Sequence, residues 1–227
     1  MILCIPRVLD QAMVAQCRQA LEQTTWVDGT VTAGEQSAKA KANLQVPEDA
    51  PEARALQDLI LGQLARNPDF VSAALPARVF PPLFNRYEAG MGFGAHIDNA
   101  IRISAVRGAR YRTDLSCTLF LSDPEDYDGG ELVIERPSPQ PPIKLRAGDM
   151  VLYPASTVHH VTPVTRGARW AAFFWVQSMV RSGEQREILY DLDRSVARVR
   201  ADLGDDHPAA VALTGTYHNL LRQWAEA

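Results

Sequence analysis

Between Pro81-Pro82 and Val180 the chain is a succession of short runs rich in β-branched and aromatic residues, separated by Gly, Pro and Asp and without helical periodicity between them. The runs are Leu83 to Tyr87, Asp114 to Leu121, Glu131 to Glu135, Ile143 to Leu145, Met150 to Tyr153, His159 to Val164 and Arg169 to Val180. Parallel strands need crossovers of helical length, so this texture predicts an antiparallel sandwich or barrel.

Helical patterns flank this core. Asp10 is placed to cap a helix carrying Met13, Val14, Cys17, Ala20 and Leu21 at steps of three and four and ending near Gln23. A second helix is expected from Pro51, with Leu56, Leu59, Ile60 and Leu64 on one face and Asn67-Pro68 closing it. The polar stretch from Gly29 to Pro47 reads as loop, and so does the proline-rich segment Pro137 to Pro142. After Ser182 an apolar stripe of Ile188, Leu192, Val196, Val199 and Leu203 runs to Gly204 at a C-cap position. Asp206 and Pro208 then open a helix bearing Val211, Tyr217, Leu221 and Trp224, which makes the tail a helical hairpin. The expected class is mainly β with flanking helices (α+β). The expected division is a domain over 1–181, with the β core at about 78–180 on helical support from 1–77, and a helical extension over 182–227.

Composition removes several functions. A chain of 227 residues with 46% apolar content has ample material for a core. A net charge of −4 supplies no basic field for a polyphosphate, so nucleic acid is not an expected partner. The three cysteines are odd in number and lack CxxC spacing, which fits a reducing compartment better than a disulfide framework. No window approaches the roughly 18 apolar residues of a membrane span, and the first residues are too short for a signal-peptide core. A cytoplasmic protein without a membrane partner is expected.

Chemistry concentrates in few places. His96-Ile97-Asp98 puts an imidazole and a carboxylate on one face of extended backbone, and His159 follows at the end of another strand, 159 − 98 = 61 residues later. Two imidazoles and one carboxylate are the facial triad of non-haem iron(II), although zinc takes the same ligands. Ten residues beyond His159, Arg169 begins a strand on which Arg169, Ala171, Phe173 and Trp175 share a face. A guanidinium among bulky aromatics calls for an anion, and its planar fork matches a carboxylate. Alternation turns His159 and Val161 inward and His160 away. Gly90-Met91-Gly92-Phe93-Gly94 lacks the third glycine of a dinucleotide fingerprint and reads as a mobile loop, while Gly129-Gly130 reads as a positive-φ turn or bulge. Lys39, Lys41 and Asn43 read as solvated loop rather than substrate groove, and His207 and His218 as capping or surface residues.

Taken together, Arg86-Tyr87-Glu88-Ala89-Gly90-Met91-Gly92-Phe93-Gly94-Ala95-His96-Ile97-Asp98-Asn99, Tyr127-Asp128-Gly129-Gly130-Glu131-Leu132, Gly148-Asp149 through Tyr153-Pro154 to His159, and Arg169-Trp170 with Trp175 resemble the iron(II)/2-oxoglutarate dioxygenases of the prolyl 4-hydroxylase type. More narrowly, the chain looks like the PKHD-type hydroxylases of the PiuC branch. The resemblance implies a double-stranded β-helix, or jelly roll. It also implies Fe(2+) on His96, Asp98 and His159, 2-oxoglutarate on Arg169 with Tyr87 beside it, and dioxygen as co-reactant. L-ascorbate is implied as a reductant that rescues oxidised iron. Prolyl hydroxylases usually carry lysine at the position of Arg169, a departure that bears on prolyl specificity more than on the cosubstrate. The implied activity is hydroxylation of an unactivated C–H bond in an amino acid, a peptidyl side chain or a siderophore-like metabolite, with a link to iron uptake. A non-catalytic iron or 2-oxoglutarate sensor and a zinc hydrolase are the alternatives. The oligomeric state is not legible.

Overall fold

The computed structural model describes residues 1–32, 40–104, 106–138 and 141–226. Lys39 and part of the segment Pro137 to Pro142 lie outside the described residues. In chain order the first elements are β1 (Leu3–Ile5), α1 (Gln11–Glu22), β2 (Val27–Asp28), β3 (Lys41–Ala42), β4 (Leu44–Gln45), α2 (Pro51–Leu64), α3 (Pro68–Ala74), β5 (Pro76–Val79), β6 (Leu83–Glu88), β7 (Gly92–His96), β8 (Ile101–Ile103) and β9 (Arg110–Arg112). They are followed by β10 (Leu115–Phe120), β11 (Tyr127–Gly129), β12 (Leu132–Ile134), β13 (Met150–Pro154), β14 (His159–Val161), β15 (Val164–Ser178), α4 (Gly183–Leu203) and α5 (Pro208–Trp224).

Among the described residues the strands form two facing sheets and a small ribbon, and every strand pairing is antiparallel. The larger sheet has the order β1-β13-β10-β15-β6-β4-β2, with β5 and β11 also pairing along the long β15. The smaller sheet has the order β12-β14-β7-β3, and β8 pairs with β9. This is the jelly-roll core with helices at both ends of the chain.

Alternation along the larger sheet separates its two faces. Leu115, Cys117 and Leu119 of β10 and Trp170, Ala172, Phe174 and Val176 of β15 pack in one cluster with Cys17 and Leu21 of α1 and Leu56, Ile60 and Leu64 of α2. The intervening residues, Ser116 and Thr118, and Arg169, Phe173 and Trp175, line a cavity on the other face. The helices therefore close one side of the sheet and leave the other for chemistry.

Several local signals read as expected. Asp10 caps α1, accepting from the Met13 amide at 2.8 Å, and Gln23 is its C-cap. Gly129 and Gly130 both have positive φ, and a register shift between Asp128 and Gly129 marks a bulge. Ser182 caps α4, Gly204 ends it, and His207 is the N-cap of α5, its ring accepting from the Ala209 amide.

Others were misread. Asn67-Pro68 opens a helix as well as following one: Asn67 accepts from the Phe70 amide at 2.9 Å and Pro68 occupies the first turn of α3. The stretch around Gly90 is a turn with φ +86° only at Gly90, after which Gly92 to His96 are strand β7. A Cβ on Gly94 would come within 2.9 Å of the Ala40 side chain, so that glycine serves close strand packing. Ile143 makes a single bridge to Leu132 rather than belonging to a strand. Pro163, without an amide hydrogen, separates β14 from β15.

Candidate active site

The two histidines arrive on neighbouring strands. β7 ends at His96, β14 begins at His159, and the two residues face each other directly in the register. Their ring centroids are 4.3 Å apart. Asp98 lies just beyond the end of β7, and one ligand atom from each of His96, Asp98 and His159 lies within 4.8 Å of the others. The spacing seen in the sequence thus closes into a cluster because β14 returns the chain to the mouth where β7 left it.

Each imidazole is oriented by the backbone two residues before it. Nδ1 of His96 donates to the Gly94 carbonyl at 2.8 Å, and Nδ1 of His159 donates to the Thr157 carbonyl at 2.9 Å. A carbonyl only accepts, so each ring carries a proton on Nδ1, which leaves Nε2 as the nitrogen able to ligate. Phe93 stacks on His96 with centroids 3.6 Å apart, and Tyr153 meets His159 edge-on at 5.0 Å. Oδ2 of Asp98 stands 3.9 Å from Nε2 of His159 and is buried without a hydrogen-bond partner among the described residues. Two imidazole nitrogens clustered with an orphaned carboxylate oxygen are a donor set suited to a divalent cation, and the orphaned oxygen is costly without one. Burial first, and the neighbouring His159 second, lower the His96 pKa to about 4. Burial and the nearby Asp98 carboxylate push the Tyr153 hydroxyl up.

Arg169 is 1% exposed. Its guanidinium stacks against the rings of Phe120 and Tyr87, at 5.0 and 5.4 Å from their centroids, and its Nε has no hydrogen-bond partner. No carboxylate forms an ion pair with it among the described residues. Tyr87 sits directly across the β6–β15 pairing from Arg169 and is itself buried, with burial raising and Arg169 lowering its pKa. His96, Asp98, His159, Arg169 and Tyr87 all line one cavity. His160 is outside it, turned toward Glu135 at 4.0 Å. His207 caps the last helix and His218 lies on it.

Sequence reasoning missed part of this wall. Lys41 and Asn43 are buried cavity residues, not solvated loop, because β3 adds to the smaller sheet with Lys41 opposite Phe93. Burial, followed by the charge of Arg102, brings the Lys41 ammonium down to about 7. Arg102 of β8 lines the same cavity. No motif contains these residues, and only the pairing of strands distant in sequence reveals them.

The comparisons with known proteins converge on this geometry. The 2OG-Fe(II) oxygenase superfamily matches residues 82–177, and the PKHD-type hydroxylase C-terminal domain matches residues 184–226. A PKHD-type hydroxylase of Gluconobacter oxydans is 58% identical over 226 residues, with both chains covered completely. The chain belongs to the PKHD-type hydroxylases. A second member, from Paracoccus denitrificans, is 56% identical over the same length. This PKHD-type hydroxylase shares its fold with a Pseudomonas putida prolyl-4-hydroxylase, at a TM-score of 0.53 and 17% identity over 78% of this chain and 92% of that one. It shares it also with the non-haem α-ketoglutarate-dependent epimerase SnoN of nogalamycin biosynthesis, at 0.55 and 20% over 79% and 78%. As a family member it is a 2-oxoglutarate-dependent, iron(II) enzyme, and its His-Asp-His cluster suits that metal. Among the described residues no helix is long and apolar enough to cross a membrane.

Proposed function

We propose that His96, Asp98 and His159 hold Fe(II), that Arg169 holds the far carboxylate of 2-oxoglutarate, and that the enzyme hydroxylates an unactivated C–H bond of an amino acid, a peptidyl side chain or a siderophore-like metabolite. The observation that carries this reading is the Arg169 guanidinium, buried on the wall of the triad's cavity without a carboxylate partner. An uncompensated buried charge costs several kcal/mol, so the position makes sense when an anionic ligand completes it. Bound there, the iron and its cosubstrate supply the oxidising chemistry: one atom of dioxygen leaves in succinate as carbon dioxide is lost, and the other enters the substrate.

The chain's own residues prepare the site. Gly94 and Thr157 carbonyls fix both imidazoles in the tautomer that ligates through Nε2. Phe93 holds the His96 ring plane, and Tyr87 and Phe120 pack the Arg169 fork so that little freedom is lost when the cosubstrate arrives. Apolar walls at Leu132 and Val161 help exclude water from the oxidant. Tyr87, opposite Arg169, is the residue proposed to contact the same carboxylate. Ascorbate is the proposed reductant after uncoupled turnover, the cytoplasm the proposed compartment and iron uptake the proposed setting. In this reading residues 1–181 carry the reaction and 182–227 support it.

The experiment is a screen for 2-oxoglutarate decarboxylation under air with Fe(II) against peptide and metabolite pools, with succinate quantified and products examined for a gain of one oxygen. Succinate formed in step with oxygenated product is expected. An iron-loaded protein that binds 2-oxoglutarate but releases no succinate with any pool points to a sensor instead.

A further inference from the structure

The double glycine between β11 and β12 serves Arg169 as well as the turn. Gly130 has φ +66°, and a Cβ built on it would meet Cε2 of Tyr127 at 2.9 Å, Cγ2 of Val164 at 3.0 Å and Cδ of Arg169 at 3.1 Å. Glycine leaves that space open, and the Tyr127 ring and the Arg169 stem share it. Cε2 adjoins the ring carbon that bears the hydroxyl, so it is the phenolic end of Tyr127 that comes to the arginine.

The surroundings hold Tyr127 in place. It is fully buried and packs in one cluster with Tyr87, Phe120 and Val164, and Tyr87 and Phe120 are the rings beside the Arg169 guanidinium. Nζ of Lys144 lies 4.1 Å from the Tyr127 ring centroid and donates to the Tyr127 carbonyl at 2.7 Å. Burial raises the pKa of the Tyr127 hydroxyl, and Arg169 lowers it by its charge and by a hydrogen bond. That bond is loose, since the hydroxyl has no partner of full hydrogen-bond geometry among the described residues. Hydrogen bonds of this kind are often long in the unliganded protein and tighten in the complex. Tyr127 itself stands behind the cavity wall, whereas Tyr87 and Arg169 line it.

We propose that Tyr127 is a positioning residue for the cosubstrate: its hydroxyl accepts from the Arg169 guanidinium and sets the edge that Arg169 turns to the far carboxylate of 2-oxoglutarate. Gly130 leaves the room in which the two side chains meet. A bidentate pair needs the fork aimed as well as placed. The Tyr87 and Phe120 rings confine the guanidinium but offer it no directional acceptor, and the Tyr127 hydroxyl supplies one from the side away from the cavity. The effect on the cosubstrate passes through Arg169 alone, because Tyr127 does not reach the cavity. The inference rests on the reading that Arg169 takes 2-oxoglutarate.

The test is calorimetric titration of the Mn(II)-loaded full chain with 2-oxoglutarate and with 2-oxopentanoate, which keeps the metal-chelating end but lacks the far carboxylate. Tyr127→Phe preserves the ring and removes the hydroxyl. It is expected to bind 2-oxoglutarate about tenfold more weakly, in the range of a lost hydrogen bond to a charged group, with Mn(II) and 2-oxopentanoate affinities unchanged. In the Arg169→Ala background the same substitution should add no further loss, the non-additivity expected of residues that act as a unit. Unchanged 2-oxoglutarate affinity in Tyr127→Phe overturns the proposal. So does an equal loss for both 2-oxo acids, which marks a merely structural role, and so does a tenfold loss that persists beside Arg169→Ala. Arg169→Ala alone separates the two readings: undiminished 2-oxoglutarate binding refutes the cosubstrate assignment, whereas weakened binding there beside an unaffected Tyr127→Phe refutes the positioning role alone.

Discussion

A single side chain, Arg169, concentrates the physical argument, because a guanidinium 1% exposed between two aromatic rings is costly until an anion meets it. Arg169→Ala is expected to leave metal binding intact while weakening 2-oxoglutarate binding by about 2–5 kcal/mol, or roughly 30-fold to several thousand-fold. Arg169→Lys should lose less, and titration of 2-oxoglutarate against metal-loaded protein reads both. The residue was legible because a charged side chain in an aromatic strand, ten residues after a histidine, violates the expected pattern of a buried face. Arg102 and Lys41 break no such pattern in their own segments, so nothing local announces them. His96 gives a pH prediction with a definite sign. Its folded pKa of about 4 lies below the ordinary histidine value of about 6.5, so between those limits the unfolded chain binds more protons than the native one. The metal-free protein should lose stability as pH falls through that window, and the loss should shrink in His96→Asn. Thermal unfolding of both proteins at pH 7, 6, 5 and 4.5 checks it, and identical pH profiles contradict it.

Among elements, the long strand β15 and the runs at β6, β10, β12, β13 and β14 were readable from composition and alternation. The strands β2, β3, β4 and β7 were not. The first three have only two residues each, and their strand character comes from pairing, β3 with β7, β4 with β6 and β2 with β4, rather than from propensity. β7 is written in glycine and alanine, a composition that reads as loop until the close approach of neighbouring backbone explains it. The bulge at Gly129 was legible because positive φ selects glycine. A Cβ there would clash with the Pro163 carbonyl oxygen in addition to the strain of φ +71°. Gly90 has φ +86° with nothing within 4 Å of a built Cβ. Gly129→Ala should therefore destabilise the protein by more than about 2 kcal/mol and Gly90→Ala by about 1 kcal/mol. Denaturant midpoints on the two variants measure the difference, and equal losses would show that the close approach costs nothing.

At the scale of the whole molecule, the two sheets divide labour: one face of the larger sheet buries the helices α1 and α2, and the other meets the smaller sheet around the metal cluster. A separate cluster joins the tail to the core, with Leu75 and Val180 packed against Leu189 and flanked by Tyr217, Leu221 and Trp224. The buried Arg186 donates to the Val180 and Arg181 carbonyls, and Val180 bridges to Ala225. Leu189→Ala should cost about 2–5 kcal/mol of global stability, with the metal affinity of the folded protein unchanged; calorimetry and metal titration separate the two effects. The helical hairpin was legible from its stripe and caps, but its docking against Leu75 was not, since that contact joins segments more than a hundred residues apart. The catalytic account depends on which of two adjacent histidines the fold turns inward. The most direct test is iron-dependent succinate release from 2-oxoglutarate by His159→Ala and His160→Ala, with folding of each confirmed by circular dichroism. The account predicts that His159→Ala loses both iron binding and succinate release while His160→Ala keeps the iron site and most turnover. A dead His160→Ala beside an active, iron-binding His159→Ala would contradict it.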